Sequence, residues 1–199
     1  MEPVRRETPR RTCKKIFKNY KKYKKYLRDD FHKRCGYCDD SHFYSGGERG
    51  FHIDHFAPGS KFPEYKCRYS NLVYSCSYCN IFKGDDWVSS KSSVSVINDK
   101  GYIDPCSDDY EKHLSRNDKG QIIANTPLGK YMHGKLKLWL IRHEWAWKID
   151  KIDSLIEDID KESANFSNKD KKLKRLQSKQ IELYKAFRHH INIFREEIQ

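Results

Sequence analysis

Four cysteines of the chain occur as two CxxC pairs, Cys35 with Cys38 and Cys76 with Cys79. One CxxC pair brings two sulfur atoms within reach of an ion, and two pairs supply the four thiolates of a tetrahedral structural zinc site. The alternatives are free thiols or a redox CxxC. Redox pairs usually occur singly in a βαβ context, which this sequence does not show. We therefore expect a structural Zn²⁺ that joins two distant segments of the chain.

Two side chains between the cysteine pairs are suited to the hydrolysis of a phosphodiester bond. The stretch "HIDHFAP", residues 52–58, contains Asp54 and His55 as neighbours. A histidine can act as a general base near neutral pH, and a carboxylate is a hard oxygen ligand for a divalent cation. Adjacent residues of a regular strand point to opposite faces. We therefore expect a local irregularity that brings Asp54 and His55 to one site.

The order of motifs from Cys35 to Lys83 resembles the HNH family of nucleases. A first CxxC is followed by DHxxP, then by an Asn-Leu before the second CxxC, and then by Asn-x-x-Lys. The resemblance covers about a quarter of the chain. It implies a zinc-braced ββα-metal core and a metal-dependent endonuclease that hydrolyses DNA. The overall class expected for the chain is then α+β.

The resemblance also implies a role for each of five residues. His55 is the general base, and Asp54 and Asn80 hold the catalytic cation. Asn80 stands where the family often has histidine, and an amide oxygen favours Mg²⁺ or Mn²⁺ over a catalytic Zn²⁺. Asn71 braces the loop after His55, and Lys83, one helical turn beyond Asn80, contacts the phosphate. The alternatives are that Asn71 only caps a turn and that Lys83 is solvated.

The net charge of +12 is concentrated at the start of the chain. Residues 1–34 contain fourteen basic and four acidic side chains. Such a stripe attracts polyanions, of which nucleic acid is the usual one. The alternative is a solvated helix that keeps the protein in solution. DNA is accordingly the expected partner, and it is favoured over RNA by the resemblance alone.

Hydrophobic periodicity predicts three regions. Residues 1–34 are a basic arm and an amphipathic helix from about Thr12 to Lys33. Residues 35–126 are the zinc-braced core with two hairpins, each turning at an Asn-Asp-Lys-Gly sequence. Residues 127–199 are a helical C-terminal region in which one long helix, from about Pro127 to Lys161, and a last helix form an antiparallel hairpin.

Two other classes of function compete with the nuclease. The first is a non-catalytic zinc-knuckle module that binds nucleic acid. This function would not explain why Asp54, His55 and Asn80 occur together. The second is an interaction subunit that docks through the tryptophans of the C-terminal region, Trp139, Trp145 and Trp147. The same tryptophans are also consistent with a packed core.

A weaker resemblance concerns the biological setting. The motif region together with the helical C-terminus is similar to HNH effectors of bacterial anti-phage defence, such as those of Septu and retron systems, which work with a companion ATPase. The C-terminal helices are then the expected contact with that ATPase. Toxins and homing or restriction enzymes are alternatives. No apolar run is long enough to span a membrane and no signal-peptide core is present, so we expect a cytoplasmic protein.

Overall fold

A computed structural model describes residues 1–166 and 170–198 of the chain. The fold is α+β, as expected, and it divides into two compact units, Met1–Leu140 and Ile141–Gln199. The expected division into 1–34, 35–126 and 127–199 stays a prediction. Residues 167–169 and 199 of the expected C-terminal region lie outside the described residues. Within the described part, no helix is both long and apolar enough to cross a membrane.

The first unit contains short strands and short helices, and the second contains two long helices. In chain order the first unit has β1 (Glu2–Pro3), α1 (Lys24–Asp30), β2 (Phe51–His55), β3 (Leu72–Cys76), α2 (Ser77–Lys83), β4 (Val96–Ile97), β5 (Lys100–Gly101), α3 (Tyr110–His113), β6 (Leu114–Arg116), β7 (Ile122–Ala124) and α4 (Pro127–Lys135). The second unit has α5 (Ile141–Ser163) and α6 (Lys171–Ile198).

Strands β2 and β3 and helix α2 form the ββα core between the cysteine pairs. The strands are antiparallel, and their register runs from Phe51 opposite Cys76 to His55 opposite Leu72. Every residue of β3 is buried, so this strand anchors the unit. The pairing continues without a bulge to His55. The expected irregularity between Asp54 and His55 is therefore absent, and His55 instead occupies the end of its strand.

The N-terminal helix is much shorter than the periodicity predicts. Helix α1 covers Lys24–Asp30 and follows a single 3₁₀ turn, Tyr20–Tyr23, so the prediction of a helix from Thr12 is wrong. The backbone N–H and the hydroxyl of Thr12 donate to the carboxylate of Asp30, at 2.6 and 2.7 Å. This contact folds the preceding segment back along α1. Repulsion among closely spaced lysines also disfavours a longer helix there.

Both predicted hairpins are present. Strands β4 and β5 pair across Asn98 and Asp99, whose φ angles of 48° and 58° provide the left-handed turn that suits a two-residue hairpin. Strands β6 and β7 pair across the second Asn-Asp-Lys-Gly sequence. Strand β1 pairs with the other edge of β6, which makes a three-stranded sheet of order β1-β6-β7.

The predicted helix from Pro127 to Lys161 is interrupted. Helix α4 is capped by the Thr126 hydroxyl, begins at Pro127 and ends at Lys135. Lys137 then adopts a φ of 54°, a left-handed conformation that an α-helix cannot continue through. In the second unit, α5 and α6 run antiparallel along each other, which confirms the predicted C-terminal hairpin. Contacts such as Gln180 with Asp160 and Lys172 with Glu162 fix their register.

Arg116 links the three-stranded sheet to the first cysteine pair. Its side chain is among the most buried in the unit, at 1% exposure. The guanidinium donates from Nη1 to the carbonyl of Gly120 at 2.6 Å and from Nη2 to the carbonyl of Cys38 at 2.7 Å. Burial lowers the pKa of Arg116, and Asp40 and Asp39 act in the opposite direction. The sheet therefore holds the backbone of Cys38, one of the four cysteines of the expected zinc site.

We expect Arg116→Met to lower the free energy of unfolding by about 2–4 kcal/mol, because two buried carbonyls lose their donors. Denaturant unfolding followed by tryptophan fluorescence would measure this. Lys119→Met, which removes an exposed charge from the same hairpin, is the matched control and should change stability by no more than about 0.5 kcal/mol. Equal effects of the two substitutions would contradict the link.

Candidate active site

The four cysteine sulfurs converge on one buried point. The Sγ atoms of Cys35, Cys38, Cys76 and Cys79 all lie within 4.8 Å of one another, and each residue is at most 1% exposed. The Cys38 and Cys76 sulfurs are 3.8 Å apart. A tetrahedron with Zn–S bonds of about 2.3 Å has S···S edges of about 3.8 Å. The cluster therefore fits a structural Zn²⁺.

A cleft of about 380 Å³ opens beside the ββα core, at the end of β2. Asp54, His55 and Asn80, which the sequence predicts to share a site, all line it. Asn71 and Lys83 are buried and are not among its lining residues. The remaining walls come from the N-terminal segment, β2, the loop after β2 and the turn after α2: Tyr20, Ile53, Pro58, Gly59, Ser60, Lys66, Gly84 and Asp85.

His55 is oriented by the loop that follows its strand. Its Nε2 atom lies 3.0 Å from the carbonyl oxygen of Lys66. A carbonyl oxygen only accepts hydrogen bonds, so Nε2 carries the proton and Nδ1 is the basic nitrogen of the neutral ring. The ring also packs against the ring of Tyr20. Burial lowers the pKa of His55, which the Lys66 carbonyl and Asp54 partly oppose, so the neutral ring is favoured.

Asp54 is a buried carboxylate with two partners in the protein. The Tyr37 hydroxyl donates to Oδ2 at 2.5 Å, and the Lys83 ammonium lies 3.2 Å from the same oxygen. Burial raises the pKa of Asp54, and Lys83 and Tyr37 oppose that rise. The Lys83 ammonium also donates to the carbonyl of His55 at 2.9 Å, and its side chain is 0% exposed. The phosphate contact expected of Lys83 stays a prediction.

Asn71 joins the end of β2 to the start of β3. Its Oδ1 accepts from the backbone N–H of Ala57 at 2.8 Å, and its Nδ2 donates to the carbonyl of Ala57 at 2.9 Å. A further contact joins Nδ2 to the carbonyl of Tyr65 at 3.4 Å. These bonds tie down the loop that supplies the Lys66 carbonyl. These hydrogen bonds are the ones expected if Asn71 braces the loop after His55.

Asn80 faces the cleft from helix α2. Its side chain is half-buried and makes no hydrogen bond to any residue that the structure describes. The Cys76 sulfur caps this helix by accepting from the backbone N–H of Cys79. Helix α2 therefore begins at the zinc cluster and carries Asn80 to the cleft. The carboxylate of Asp54 and the free amide of Asn80 are hard oxygen donors, a set that fits Mg²⁺ or Mn²⁺.

Sequence reasoning missed four residues around this cleft. Tyr37 lies inside the first CxxC, where spacing rules attach no meaning to the intervening residues. The contribution of Lys66 is a backbone carbonyl, which no side-chain pattern reveals. Tyr20 looks like one apolar position of a basic helix, and Asp85 looks like an acidic residue of a turn. Each of them reaches the site through the tertiary fold alone.

Comparison with protein-family models matches residues 35–86 to the HNH endonuclease family. Residues 35–86 are an HNH endonuclease domain. The matched range contains the four clustered cysteines, the ββα core and most of the cleft, whereas Tyr20 lies outside it. Neither the search of curated proteins nor the search of solved structures found a match. The HNH domain covers about a quarter of the chain.

We expect the purified protein to contain one tightly held zinc per chain, measurable by mass spectrometry of the metal. Cys79→Ser should lose that zinc and lower the Tm by more than about 10 °C, because binding of a structural zinc contributes to folding. Cys106→Ser, a half-buried cysteine outside the cluster, should retain the zinc and most of the stability. Full stability of Cys79→Ser without zinc would contradict a structural role.

We expect Lys83→Met to destabilise the HNH domain by about 3–5 kcal/mol, because it leaves the Asp54 carboxylate buried without its cationic partner. Replacing both residues, as Lys83→Met with Asp54→Asn, should recover part of that loss. Denaturant unfolding of the two single variants and the double variant measures the coupling. Strictly additive losses would show that the two side chains do not depend on each other.

Proposed function

We propose that this chain is a metal-dependent HNH endonuclease that hydrolyses phosphodiester bonds of DNA. The observation that carries the proposal is the cleft at the end of β2, where Asp54, His55 and Asn80 meet. Membership of residues 35–86 in the HNH endonuclease family supports the reaction class. A histidine with a free basic nitrogen next to two hard oxygen donors suits hydrolysis of a phosphodiester by water.

In this proposal His55 is the general base. Its Nδ1 atom accepts a proton from the attacking water, while the Nε2 hydrogen bond to the Lys66 carbonyl holds the ring. Burial lowers the pKa of the imidazole, so the ring is neutral and able to accept a proton at neutral pH. The same carbonyl stabilises the imidazolium that results. Asn71 maintains this geometry by fixing the loop on both sides.

Asp54 and Asn80 are the residues that would hold the catalytic cation. A bound Mg²⁺ or Mn²⁺ supplies Lewis acidity toward the phosphate and stabilises the departing oxygen. Tyr37 and Lys83 restrain the Asp54 carboxylate through its hydrogen bonds. Lys83 also ties that carboxylate to the backbone of His55. The cation-holding group and the base therefore keep a fixed relation to each other.

The N-terminal segment is the proposed surface for the DNA backbone. Six lysines between residues 14 and 25 are exposed and form no ion pair with the described residues: Lys14, Lys15, Lys18, Lys21, Lys22 and Lys25. Tyr20, which lines the cleft, lies within this run. Lysine contacts to phosphate attract DNA without reading its sequence. The segment would thus guide a DNA strand toward the cleft.

The alternative functions are less consistent with the site. A zinc module that only binds nucleic acid has no use for a histidine oriented beside a restrained carboxylate. The role in anti-phage defence, the companion ATPase docked on the C-terminal helices and the cytoplasmic location stay predictions of the resemblance. All three concern the setting of the enzyme, and the proposed chemistry holds without them.

The decisive test is nicking of supercoiled plasmid with Mg²⁺ or Mn²⁺. We expect His55→Ala to lower the cleavage rate by about 10²–10⁴-fold, the usual contribution of a general base, with unchanged zinc content. His52→Ala is the matched control, because this histidine lies on the same strand but outside the cleft lining. It should cleave at the wild-type rate.

Two outcomes would contradict the proposal. Cleavage by His55→Ala at the wild-type rate would exclude His55 as the base. A zinc-loaded wild-type protein that binds DNA in a salt-dependent way but never cleaves it would favour the binding module.

A further inference from the structure

We propose that Tyr20 is a positioning residue of the active site and that it connects DNA binding on the N-terminal lysines to the orientation of His55. This inference rests on the proposed nuclease function and extends it beyond residues 35–86. It assigns a task to a residue that the matched HNH domain does not contain. The expected ligand is the phosphate backbone of DNA.

The contact between Tyr20 and His55 is direct. Their ring centroids lie 4.8 Å apart with an interplanar angle of 68°, an edge-to-face arrangement. This distance and angle are typical of favourable aromatic pairs. The Tyr20 hydroxyl makes no hydrogen bond to any described residue, and its ring contacts His55 while it packs against the core of the unit. Tyr20 is half-buried at the wall of the cleft.

The ring of His55 needs a second restraint. The hydrogen bond from Nε2 to the Lys66 carbonyl fixes the direction in which that nitrogen points. It does not fix the tilt of the ring about the bond. The Tyr20 ring restrains this tilt and so sets the direction of the Nδ1 lone pair. A base is effective only when that direction meets the proton it removes.

The segment that carries Tyr20 is itself attached to the rest of the unit. The backbone carbonyl of Lys18 accepts a hydrogen bond from the Cys67 sulfur at 3.1 Å, next to the residue that holds His55. The ring of Tyr23 packs 4.9 Å from that of Tyr69. Tyr20 thus lies between two attachments to the segment that connects β2 to β3.

The lysines beside Tyr20 provide the connection to DNA. Lys18, Lys21 and Lys22 flank it in sequence, and all three are exposed. Phosphates bound to these lysines would hold the Tyr20 turn in place against the cleft wall. Binding of the DNA backbone would then favour the orientation of His55 in which Nδ1 faces the scissile phosphate. The N-terminal segment is on this account part of the catalytic apparatus.

The test compares Tyr20→Leu and Tyr20→Phe in the full chain. Single-turnover cleavage at saturating protein gives the rate of the chemical step, and DNA binding without divalent cation gives the Kd. We expect Tyr20→Leu to lower the rate by about 10- to 100-fold, as small misplacements of a reacting group do, and to change the Kd by less than about threefold. Tyr20→Phe keeps the ring and should retain most of the rate.

Tyr26→Leu is the matched control. Tyr26 belongs to the same segment and is also half-buried, but its ring stacks on Phe17 and does not contact His55. We expect its cleavage rate to remain at the wild-type level. A Tyr20→Leu variant that binds DNA weakly but cleaves at the wild-type rate once saturated would overturn the proposal and make Tyr20 a DNA contact.

A readout without cleavage separates this proposal from the nuclease assignment. Carbon-13 relaxation of the imidazole ring reports how strongly the ring is restrained, and the signals absent from His55→Ala identify His55. We expect a rigid ring in the wild type and larger ring motion in Tyr20→Leu, because the Tyr20 ring no longer restrains the tilt. Unchanged motion of the His55 ring in Tyr20→Leu would overturn the positioning role. A wild-type protein with a rigid His55 ring that cuts no DNA would overturn only the nuclease assignment.

Discussion

Four sulfur atoms gathered at one buried point are the constraint on which the HNH domain depends. Four sulfur atoms within 4.8 Å of one another suit a bound cation, because thiolates at that spacing repel one another unless a cation such as Zn²⁺ lies between them. Each cysteine pair also lies next to a residue that contacts Asp54 or lines the cleft. Tyr37 lies inside the first pair and bonds to Asp54, and Asn80 directly follows the second. A zinc ion bound by the four cysteines would therefore also fix the backbone positions of Tyr37 and Asn80.

The second constraint is the burial of Asp54. An isolated carboxylate in an apolar interior is unfavourable, and its protonation would remove a ligand for a hard cation. Lys83 supplies the compensating charge from within the core, at the C-terminal end of the helix that also carries Asn80. We expect the Lys83–Asp54 ion pair to fix the position of the carboxylate more than to stabilise the fold, because buried ion pairs often contribute little net stabilisation.

The sequence predicted the features that depend on local spacing. Two CxxC pairs predicted the zinc cluster, two Asn-Asp-Lys-Gly sequences predicted the hairpins, and the position of Asn80 after Cys79 placed it near the cleft. It did not predict contacts between segments far apart in the chain. Thr12 turns back along α1 because of one contact with Asp30, and no periodic pattern contains that information.

The pairing of β1 with β6 has a consequence for the order in which the chain folds. Strands β2 and β3 and the two cysteine pairs of the HNH core all lie within residues 35–86. In contrast, Glu2 pairs with Arg116 and the Val4 backbone N–H donates to Glu111. Closing so long a loop costs more chain entropy, and long-range pairings generally form late. During synthesis on the ribosome, the HNH core can fold first, and Glu2 and Pro3 can pair only after β6 has been synthesised. The first unit would then fold from its middle outward.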